Sequence, residues 1–354
     1  MLSYHPNRCS GFGGIENLVR SIKLTLEQSN IAFYELYNRE PPVGEVEISD
    51  SHFGIHKKLF FNSRFLGMLN KAFVFYQQAK RGNYDAVITY HPANLLFFLL
   101  SKQKPKIILV QSNSIAKLFQ GRLLNFLAPK ILNKLDALTL YTLFDKQALI
   151  RRFQIDDNKI FIIPRACKLP TAAPRESKSN KLVTICRISE EQKNFTAMIQ
   201  IMAKLPEMTL DIYGAGSIEE ISSLESKISK SKNIRFLGKT NDVAETLSKY
   251  SLFMMTSHYE GYGQSLIEAR SQGLPIVLFN TFDAAQSVVV DSKNGFLIEP
   301  FDQESFINSI RKVLKTDSVY KQMSSESIAL SSTTETLSIK NKWLRLFNSF
   351  QHPS

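Results

Sequence analysis

The stretch LFMMTSHYEGYGQSLIEARSQGLPIVLFN, residues 252–280, contains a complete strand–helix–strand pattern. It begins with the apolar run LFMMTS (252–257), which is typical of a buried strand. Glycines then form a turn, and SLIEARSQG (265–273) is predicted to be a helix that stops at Gly273. PIVLFN (275–280) is a second apolar run. Two buried strands joined through a helix predict a parallel sheet covered by helices.

The same alternation runs through the whole chain. Seven further apolar runs are DAVITY (85–90), KIILVQ (106–111), ALTLYT (137–142), KIFIIP (159–164), KLVTIC (181–186), TLDIYG (209–214) and NIRFLG (233–238). Most of them are separated by enough residues for a helix, which predicts an α/β fold with one helix-covered parallel sheet in each half. Two Rossmann-like halves whose sheets face each other across a deep cleft would hold a ligand at the carboxyl ends of their strands.

The length of 354 residues also indicates two domains, because it exceeds what one hydrophobic core usually sustains. RACKLPTAAPRESKSN (165–180) is polar and rich in Pro, Ala and Ser, as linkers are. We therefore expect an N-terminal domain over residues 1–165 and a C-terminal domain over residues 166–335.

Positive charge is concentrated in the first half. Residues 1–165 contain 22 Lys+Arg and 12 Asp+Glu, a net charge of +10, and the remainder contains 22 and 20, a net charge of only +2. This asymmetry indicates an anionic partner, and nucleic acid and an anionic membrane surface both fit it. The segments 57–81 and 117–134 mix lysine and arginine with Phe and Leu. They are either interfacial membrane helices or ordinary amphipathic helices that cover a sheet.

The cysteines and the apolar segments favour the cytoplasm. Cys9, Cys167 and Cys186 are too few and too scattered for a disulfide framework or a zinc cluster. The N-terminus lacks the basic segment and apolar core of a secretory signal. The strongest apolar run, LLFFLL (95–100), is far shorter than the ~20 residues that a membrane span requires.

Two segments could bind phosphate groups. GFGGIENLV (11–19) places Gly13 and Gly14 ahead of an amphipathic pattern, and the amides of such a turn can bind an anion. Arg187 and Lys193 follow the strand KLVTIC, where two cations can neutralise a diphosphate. Each segment alone is equally compatible with an ordinary turn or with solvated loop cations.

Two carboxylates flank the glycine turn of the opening stretch. Glu260 and Glu268 could form the acid/base pair of a glycosidase, which requires carboxyl groups roughly 5–10 Å apart on either side of one bond. Glu268, however, is predicted about one turn into the helix, so the two side chains need not converge. The helix start offers free amides from Gly263 to Leu266, which is again an anion site. Glu268 alone would simply complement the helix dipole.

Taken in order, these segments resemble glycosyltransferase family 4, a group of retaining, nucleotide-sugar-dependent enzymes with the GT-B fold. The matching pieces are GGIE (13–16), Arg187-x5-Lys193, DIYGAGS (211–217), RFLG (235–238), Glu260-x7-Glu268 and KNGFLIEP (293–300). The resemblance implies that the N-terminal domain binds the acceptor and the C-terminal domain binds the nucleotide sugar. It also implies a C-terminal helix, within residues 336–354, that packs back on the N-terminal domain.

The resemblance implies a role for each matching residue. Arg187 and Lys193 bind the diphosphate and stabilise the charge that develops on the leaving group. Glu268 accepts hydrogen bonds from the ribose, and Glu260 contacts the donor sugar. Further donor contacts come from backbone amides of Gly13, Gly14, Gly263, Gln264, Ser265 and Leu266, and from Lys239 beside the base.

The resemblance also has departures. Family members commonly carry a histidine after the strand that corresponds to KIILV, where this chain has Gln111. His91 matches another histidine often found after the preceding strand, with a catalytic or a structural role. In the family, retention is explained by front-face attack assisted by the departing phosphate. We therefore expect neither a carboxylate nucleophile nor a metal or other cofactor, and the sequence shows no suitably placed Asp-x-Asp motif.

These observations predict a hexosyltransferase on the inner face of the plasma membrane. It would transfer a hexose from a nucleotide sugar, expected to be uridine-linked, to a cell-envelope glycan, polysaccharide or lipid-linked acceptor. Residues 279–297 loosely resemble bacterial transferases that glycosylate teichoic-acid-like polymers. The alternative is a non-catalytic GT-B protein that binds a glycan or another glycosyltransferase. No recognisable motif supports nucleic-acid binding.

Overall fold

A computed structural model describes residues 1–11, 14–40, 54–57, 64–101 and 105–351. The chain divides into two compact units. The N-terminal unit comprises residues 1–165 and 339–354, and the C-terminal unit comprises residues 166–338. Among the described residues, the helices are all too short or too polar to cross a bilayer.

The N-terminal unit is built around a sheet of seven described strands in the order β3-β2-β1-β4-β5-β6-β7, and every neighbouring pair is parallel. The strands are β1 (Leu2–Tyr4), β2 (Tyr34–Tyr37), β3 (Gly54–His56), β4 (Ala86–Thr89), β5 (Lys106–Val110), β6 (Ala137–Leu140) and β7 (Ile160–Ile162). Its helices are α1 (Gly14–Glu27), α2 (Arg64–Arg81), α3 (Ile115–Leu118), α4 (Arg122–Lys134) and α5 (Leu143–Arg152), with 3-10 helices at Pro92–Leu100 and Asp157–Lys159.

The C-terminal unit contains a second parallel sheet, of six described strands, in the order β10-β9-β8-β11-β12-β13. The strands are β8 (Lys181–Arg187), β9 (Thr209–Ala215), β10 (Ile234–Phe236), β11 (Leu252–Met255), β12 (Ile276–Phe279) and β13 (Gly295–Ile298). The helices are α6 (Glu190–Lys193), α7 (Phe195–Ala203), α8 (Ile218–Ile228), α9 (Val243–Ser248), α10 (Gln264–Ser271), α11 (Ala285–Val288), α12 (Gln303–Val313) and α13 (Asp317–Ser331), followed by a 3-10 turn at Ser332–Thr334.

The predicted α/β class with two parallel sheets is confirmed. All nine predicted strands coincide with β4 to β12, and most of their apolar side chains are buried in the sheet. Each unit has its own core, formed by strand residues and the apolar faces of the covering helices. The last helix, α14 (Thr336–Gln351), lies mostly in the N-terminal unit, where Trp343 and Phe347 are buried and stacked 5.8 Å apart.

Local signals explain where several helices begin. Ser217 and Glu220 form a reciprocal capping box at the start of α8, in which each side chain accepts a hydrogen bond from the other residue's amide. Thr142 caps α5 through the amide of Asp145, and Asp302 caps α12. A local signal also explains where α10 ends. Gly273, just after its C-terminus, has a φ of +70°, and its position before Pro275 predicts the helix end.

Candidate functional site

In the C-terminal unit, the sequence candidates meet beside the central strand pair. β8 and β11 are neighbours, and the strand order reverses between them, since β9 follows β8 on one side and β12 follows β11 on the other. The loops that leave two such strands run in opposite directions and leave an open crevice at the carboxyl edge of the sheet. Arg187 and α6 follow β8, and the loop with Glu260 and the start of α10 follow β11.

Lys193 and Glu260 form a buried ion pair at this edge. The Lys193 ammonium contacts Glu260 Oε1, and both residues are only 8% exposed. Ser257 Oγ donates to the same carboxylate oxygen at 3.0 Å, and Gln192 Nε2 donates to Oε2 at 3.4 Å. Two side chains that are 67 residues apart in sequence are therefore held in one position by the pairing of β8 with β11.

Arg187 is the last residue of β8, and its side chain is exposed. Within the described part of the chain, its guanidinium makes no hydrogen bond and no ion pair. A planar fork of N–H donors at the end of a central strand is suited to binding a phosphate or diphosphate. Among the described residues Arg187 thus has no acidic partner, whereas Lys193 is paired with Glu260.

The first turn of α10 supplies backbone donors. Gly263 caps the helix with a φ of +83°, where a Cβ atom would lie 2.6 Å from Leu266 Cδ1, so only glycine fits. The amides of Gly263, Gln264 and Ser265 have no acceptor among the described residues. The expectation of a free amide at Leu266 was wrong, because that N–H donates to the Gly263 carbonyl at 3.0 Å in a tightened first turn.

Glu268 lies one turn into α10, as expected, and has partners of its own. It accepts a hydrogen bond from Gln264 Nε2 at 3.2 Å, and the same amide group donates to the Ala166 carbonyl at 3.1 Å. Glu268 and Glu260 therefore have different described hydrogen-bond partners, which does not support a glycosidase acid/base pair. Lys239 is exposed in the loop after β10, the edge strand two places from β8.

The glycine turn of the N-terminal unit is described only in part. Gly13 lies outside the described residues, so its role stays a prediction. Gly14 is the first residue of α1, is exposed, and has its carbonyl bonded by Arg165 Nη2. This helix follows β1, which pairs with β4 at the centre of the sheet.

His91 caps the 3-10 helix that follows β4. Its Nδ1 accepts a hydrogen bond from the Ala93 amide at 3.2 Å, which leaves the proton of the neutral ring on Nε2. Desolvation by the surrounding protein, and then the charge of Lys71, lower the pKa of His91 to about 4, although one edge of the ring remains exposed. The contact supports the structural role, and the ring is neutral near pH 7.

Gln111, which replaces the histidine expected from the resemblance, is fully buried and fully bonded. Its amide nitrogen donates to Asp145 Oδ1 at 2.7 Å and to the Asn113 carbonyl at 3.0 Å. Its oxygen accepts from the Tyr141 amide at 2.8 Å. These hydrogen bonds connect the ends of β5 and β6 to the start of α5, so Gln111 has a structural role.

Some polar groups near the candidate site were missed by the sequence reading. Ser257 and Gln192 orient Glu260, and their positions beside Glu260 and Lys193 in sequence were the available signal.

Burial raises the pKa of the Cys186 thiol to about 11, even though the charge of nearby Lys193 acts in the opposite direction. The thiol is therefore protonated near pH 7. In the part of the chain that is described, no three His, Cys, Asp or Glu side chains are arranged to hold a metal ion.

Two family models match the chain. Residues 12–169 match the model "Glycosyltransferase Family 4", and residues 169–329 match "Glycosyl transferases group 1". Among curated relatives, poly(ribitol-phosphate) alpha-N-acetylglucosaminyltransferase of Staphylococcus aureus (strain COL) is 28% identical over 225 residues, which are 61% of this chain and 45% of the relative. The chain spans less than half the length of such relatives.

Solved structures share the fold over all or most of the chain. Sucrose-phosphate synthase from Thermosynechococcus elongatus is 16% identical, with a TM-score of 0.81, and the match covers 100% of this chain and 99% of that one. A mutant of S. aureus TarM in complex with Fondaparinux, alpha-GlcNAc-glycerol and UDP is 20% identical, with a TM-score of 0.65, covering 80% of this chain and 59% of that one. The chain belongs to the glycosyltransferases that join a family 4 domain to a group 1 domain, and it has the GT-B fold of that group.

Proposed function

We propose that the chain is a retaining glycosyltransferase that transfers a hexose from a nucleotide sugar to a cell-surface polymer or lipid-linked acceptor. The observation that carries this proposal is that Arg187, the last residue of β8, makes no side-chain hydrogen bond or ion pair with the described residues, six residues before the buried Lys193–Glu260 pair, in the domain that matches the group 1 model. An exposed planar cation followed in the same loop by a second cation suits a diphosphate ligand.

In this proposal the donor lies along the carboxyl edge of the C-terminal sheet. Arg187 and Lys193 bind the diphosphate, and the amides of Gly263, Gln264 and Ser265 donate to its oxygens. Lys193 holds the Glu260 carboxylate in place, and this carboxylate accepts a hydrogen bond from a hydroxyl of the donor sugar. The ribose hydroxyls displace Gln264 from Glu268.

The chemical step requires no protein nucleophile. The bond between the anomeric carbon and the diphosphate breaks while an acceptor oxygen bonds to the same face of that carbon. The proton of the acceptor hydroxyl passes to the departing phosphate oxygen. Arg187 and Lys193 stabilise the negative charge that grows on the leaving group, and Lys193 is already held in place by Glu260, so it needs no reorganisation. We propose no metal or other cofactor for this step.

The donor is proposed to be a UDP-sugar, because the similar S. aureus TarM structure binds UDP. For the acceptor, the S. aureus relative is named for a poly(ribitol-phosphate), a polyanion. The net charge of +10 in residues 1–165 is consistent with an anionic acceptor of that kind.

The test of the donor site is a panel of nucleotide sugars, measured by thermal stabilisation and by transfer to a phosphate-containing acceptor. A ligand that binds the folded protein raises its apparent stability according to its concentration and affinity. UDP-sugars are expected to stabilise the wild type but not Arg187→Ala. A matched variant, Lys230→Ala, removes an exposed cation from the same unit and should keep the stabilisation. Equal responses of the two variants would contradict the proposed site.

We also propose that the protein works in the cytoplasm, bound to the inner face of the plasma membrane through α4. Leu123 and Phe126 are 45% and 74% exposed, and Arg122 and Lys130 lie on the same helix face. An apolar stripe flanked by cations suits an anionic bilayer surface. The described part of the other candidate segment, α2, also exposes Phe65 and Phe73, while residues 58–63 lie outside the described residues.

The test of the membrane proposal is sedimentation with phosphatidylglycerol vesicles. Replacing both Leu123 and Phe126 with serine should abolish co-sedimentation. Ile218→Ser is the matched control, because Ile218 is 80% exposed in the C-terminal unit. If both variants sediment like the wild type, α4 is an ordinary covering helix.

A second candidate function is donor binding without turnover. It is favoured by Gln111, whose bonded amide cannot act as the histidine expected at that position. Calorimetry with a UDP-sugar, paired with a transfer assay, separates the two functions. Binding together with transfer supports the enzyme, and binding without transfer to any acceptor supports the non-catalytic protein.

A further inference from the structure

The carboxyl edge of the N-terminal sheet carries a group of basic side chains. Arg39 follows β2, His5 follows β1 and His91 follows β4, and these three strands are adjacent in the order β2-β1-β4. Parallel strands end at one edge, so these residues lie at neighbouring strand ends. Lys71 of α2 approaches the same edge: burial lowers the pKa of both His5 and His91, and the charge of Lys71 acts in the same direction.

Arg39 and Lys71 have no anionic partner among the described residues, which do not include residues 41–53. Neither side chain makes a hydrogen bond or an ion pair within the described ranges, although Lys71 is half-buried. Burial, and then the nearby charge of Arg39, lower the pKa of Lys71. A half-buried ammonium that lies near a guanidinium and has no anionic partner among the described residues indicates a site prepared for an anion.

The carboxylates of this edge are engaged elsewhere. Glu40 binds Arg8 at 3.1 Å and Tyr37 at 2.6 Å, Glu35 accepts from the Cys9 amide at 2.6 Å, and Glu16 accepts from Asn7 at 2.9 Å. The fold thus supplies these acids with local donors, and none of these three carboxylates pairs with Arg39 or Lys71. The imidazole of His91 adds an N–H donor, because its Nδ1 is the atom that accepts from Ala93.

We propose that Arg39 and Lys71, with His91 and His5 beside them, bind a phosphate group of the acceptor. Arg39 provides a planar fork, Lys71 provides a point charge, and the neutral imidazole of His91 donates one hydrogen bond. The identification of the ligand as acceptor rests on the proposed function, in which Arg187 and Lys193 already bind the donor diphosphate. The chemical class, a phosphate monoester or diester, rests on the side chains alone.

The first experiment measures phosphate binding to the full chain with UDP in excess, so that the donor site is occupied. Inorganic phosphate is titrated against chloride at matched ionic strength, and thermal stabilisation is recorded. Phosphate should stabilise the wild type, and the double variant Arg39→Gln/Lys71→Gln should bind it roughly tenfold or more weakly. Lys80→Gln/Arg81→Gln is the matched control, because it removes two charges from the far end of α2, about 14 Å from Lys71 at 1.5 Å per residue.

The outcome is decisive in either direction. Phosphate stabilisation that is lost in the Arg39/Lys71 variant and kept in the control supports the site. No stabilisation of the wild type beyond that by chloride, or an equal loss in both variants, overturns it. Should the double variant not fold, the single variants Arg39→Gln and Lys71→Gln are measured in its place, and both must weaken phosphate binding.

The second experiment identifies the source of the phosphate. A soluble glycerol-phosphate oligomer that displaces inorganic phosphate supports an acceptor, whereas displacement by phosphatidylglycerol vesicles alone overturns that assignment in favour of a lipid headgroup. In transfer assays, the double variant should raise the KM for a phosphodiester acceptor roughly tenfold and leave the KM of the donor unchanged. If the wild type transfers no sugar, the proposed function fails, while the phosphate titration still decides whether the anion site exists.

Discussion

The carboxyl edges of the two sheets place polar side chains at equivalent positions but use them differently. In the C-terminal unit, Arg187 at the end of β8 makes no ion pair with the described residues, and Lys193 pairs with Glu260. In the N-terminal unit, Gln111 is completely bonded and His91 caps a helix. The resemblance to glycosyltransferase family 4 identified candidate site residues in both units. The contacts show which of these residues have hydrogen-bonding capacity left for a ligand.

The largest expected effect comes from breaking the buried pair in the C-terminal unit. Lys193→Ala leaves the Glu260 carboxylate buried without its cation, so the free energy of unfolding should fall by about 3–5 kcal/mol and sugar transfer should be lost. Urea unfolding followed by far-UV circular dichroism measures the change. Trp343, the single tryptophan of the chain, lies in the N-terminal unit, so its fluorescence reports that unit separately.

A matched control for this variant is Lys249→Ala. Lys249 pairs with Glu245 at 2.9 Å, but both side chains are exposed, so the unfolding curve should hardly change. If Lys193→Ala is as mild as Lys249→Ala, the buried pair does not organise the edge of the C-terminal sheet.

The next largest effect separates function from stability. Arg187→Ala should reduce the rate of sugar transfer by about 100-fold or more, because it removes a positioned cation from the leaving group. The unfolding transition should stay in place, since the side chain makes no hydrogen bond or ion pair with the described residues. Arg187→Lys should recover only part of the rate, because the charge is kept and the fork is lost. A stability loss equal to that of Lys193→Ala would show that Arg187 is part of the scaffold.

A third variant examines the N-terminal unit. Gln111→His should lower the free energy of unfolding, followed by Trp343 fluorescence, by about 1–3 kcal/mol, because at least one of three buried hydrogen bonds is lost. It should not increase the rate of transfer. Gln147→His, at an exposed position of α5, is the control and should leave stability unchanged. A faster enzyme with unchanged stability would contradict the scaffold role of Gln111.

The smallest effect is a pH dependence. The pKa of His91 is about 4 in the folded protein and near 6.5 in an unfolded chain, so between these values the unfolded chain binds more protons. Stability contributed by the neutral ring is complete above about pH 6.5 and is lost as the pH falls towards 4. His91→Asn keeps a capping side chain and should flatten this slope in the Trp343 transition. His5, whose pKa is also lowered, should leave some slope. His258→Asn, in the other unit, should not change it.

Much of the fold was predictable because buried parallel strands are apolar runs. The other four strands, β1, β2, β3 and β13, were not predicted, and each lacks a clear apolar run for a separate reason. β1 and β3 have only three residues each, β2 carries the buried Glu35, and β13 begins at Gly295 with a φ of +155°. Short strands with polar residues or glycine give no clear alternation or apolar run, so only their pairing with neighbours defines them.

Less of the site was predictable, because its contacts are made across the sheet. The sequence placed Lys193 and Glu260 near a donor but could not show that they touch, since that depends on β8 lying beside β11. Leu266 was expected to offer a free amide, and a local tightening of the first turn engages it. The site at Arg39 and Lys71 could not be predicted from the sequence, because neither residue belongs to a motif.

The three hydrogen bonds of Gln111 limit which residues can replace it. A neutral histidine has one donor and one acceptor, whereas Gln111 donates twice and accepts once, so a histidine at this position leaves a buried partner unsatisfied. Accommodating a histidine here therefore requires a second change among its partners, for example at Asp145.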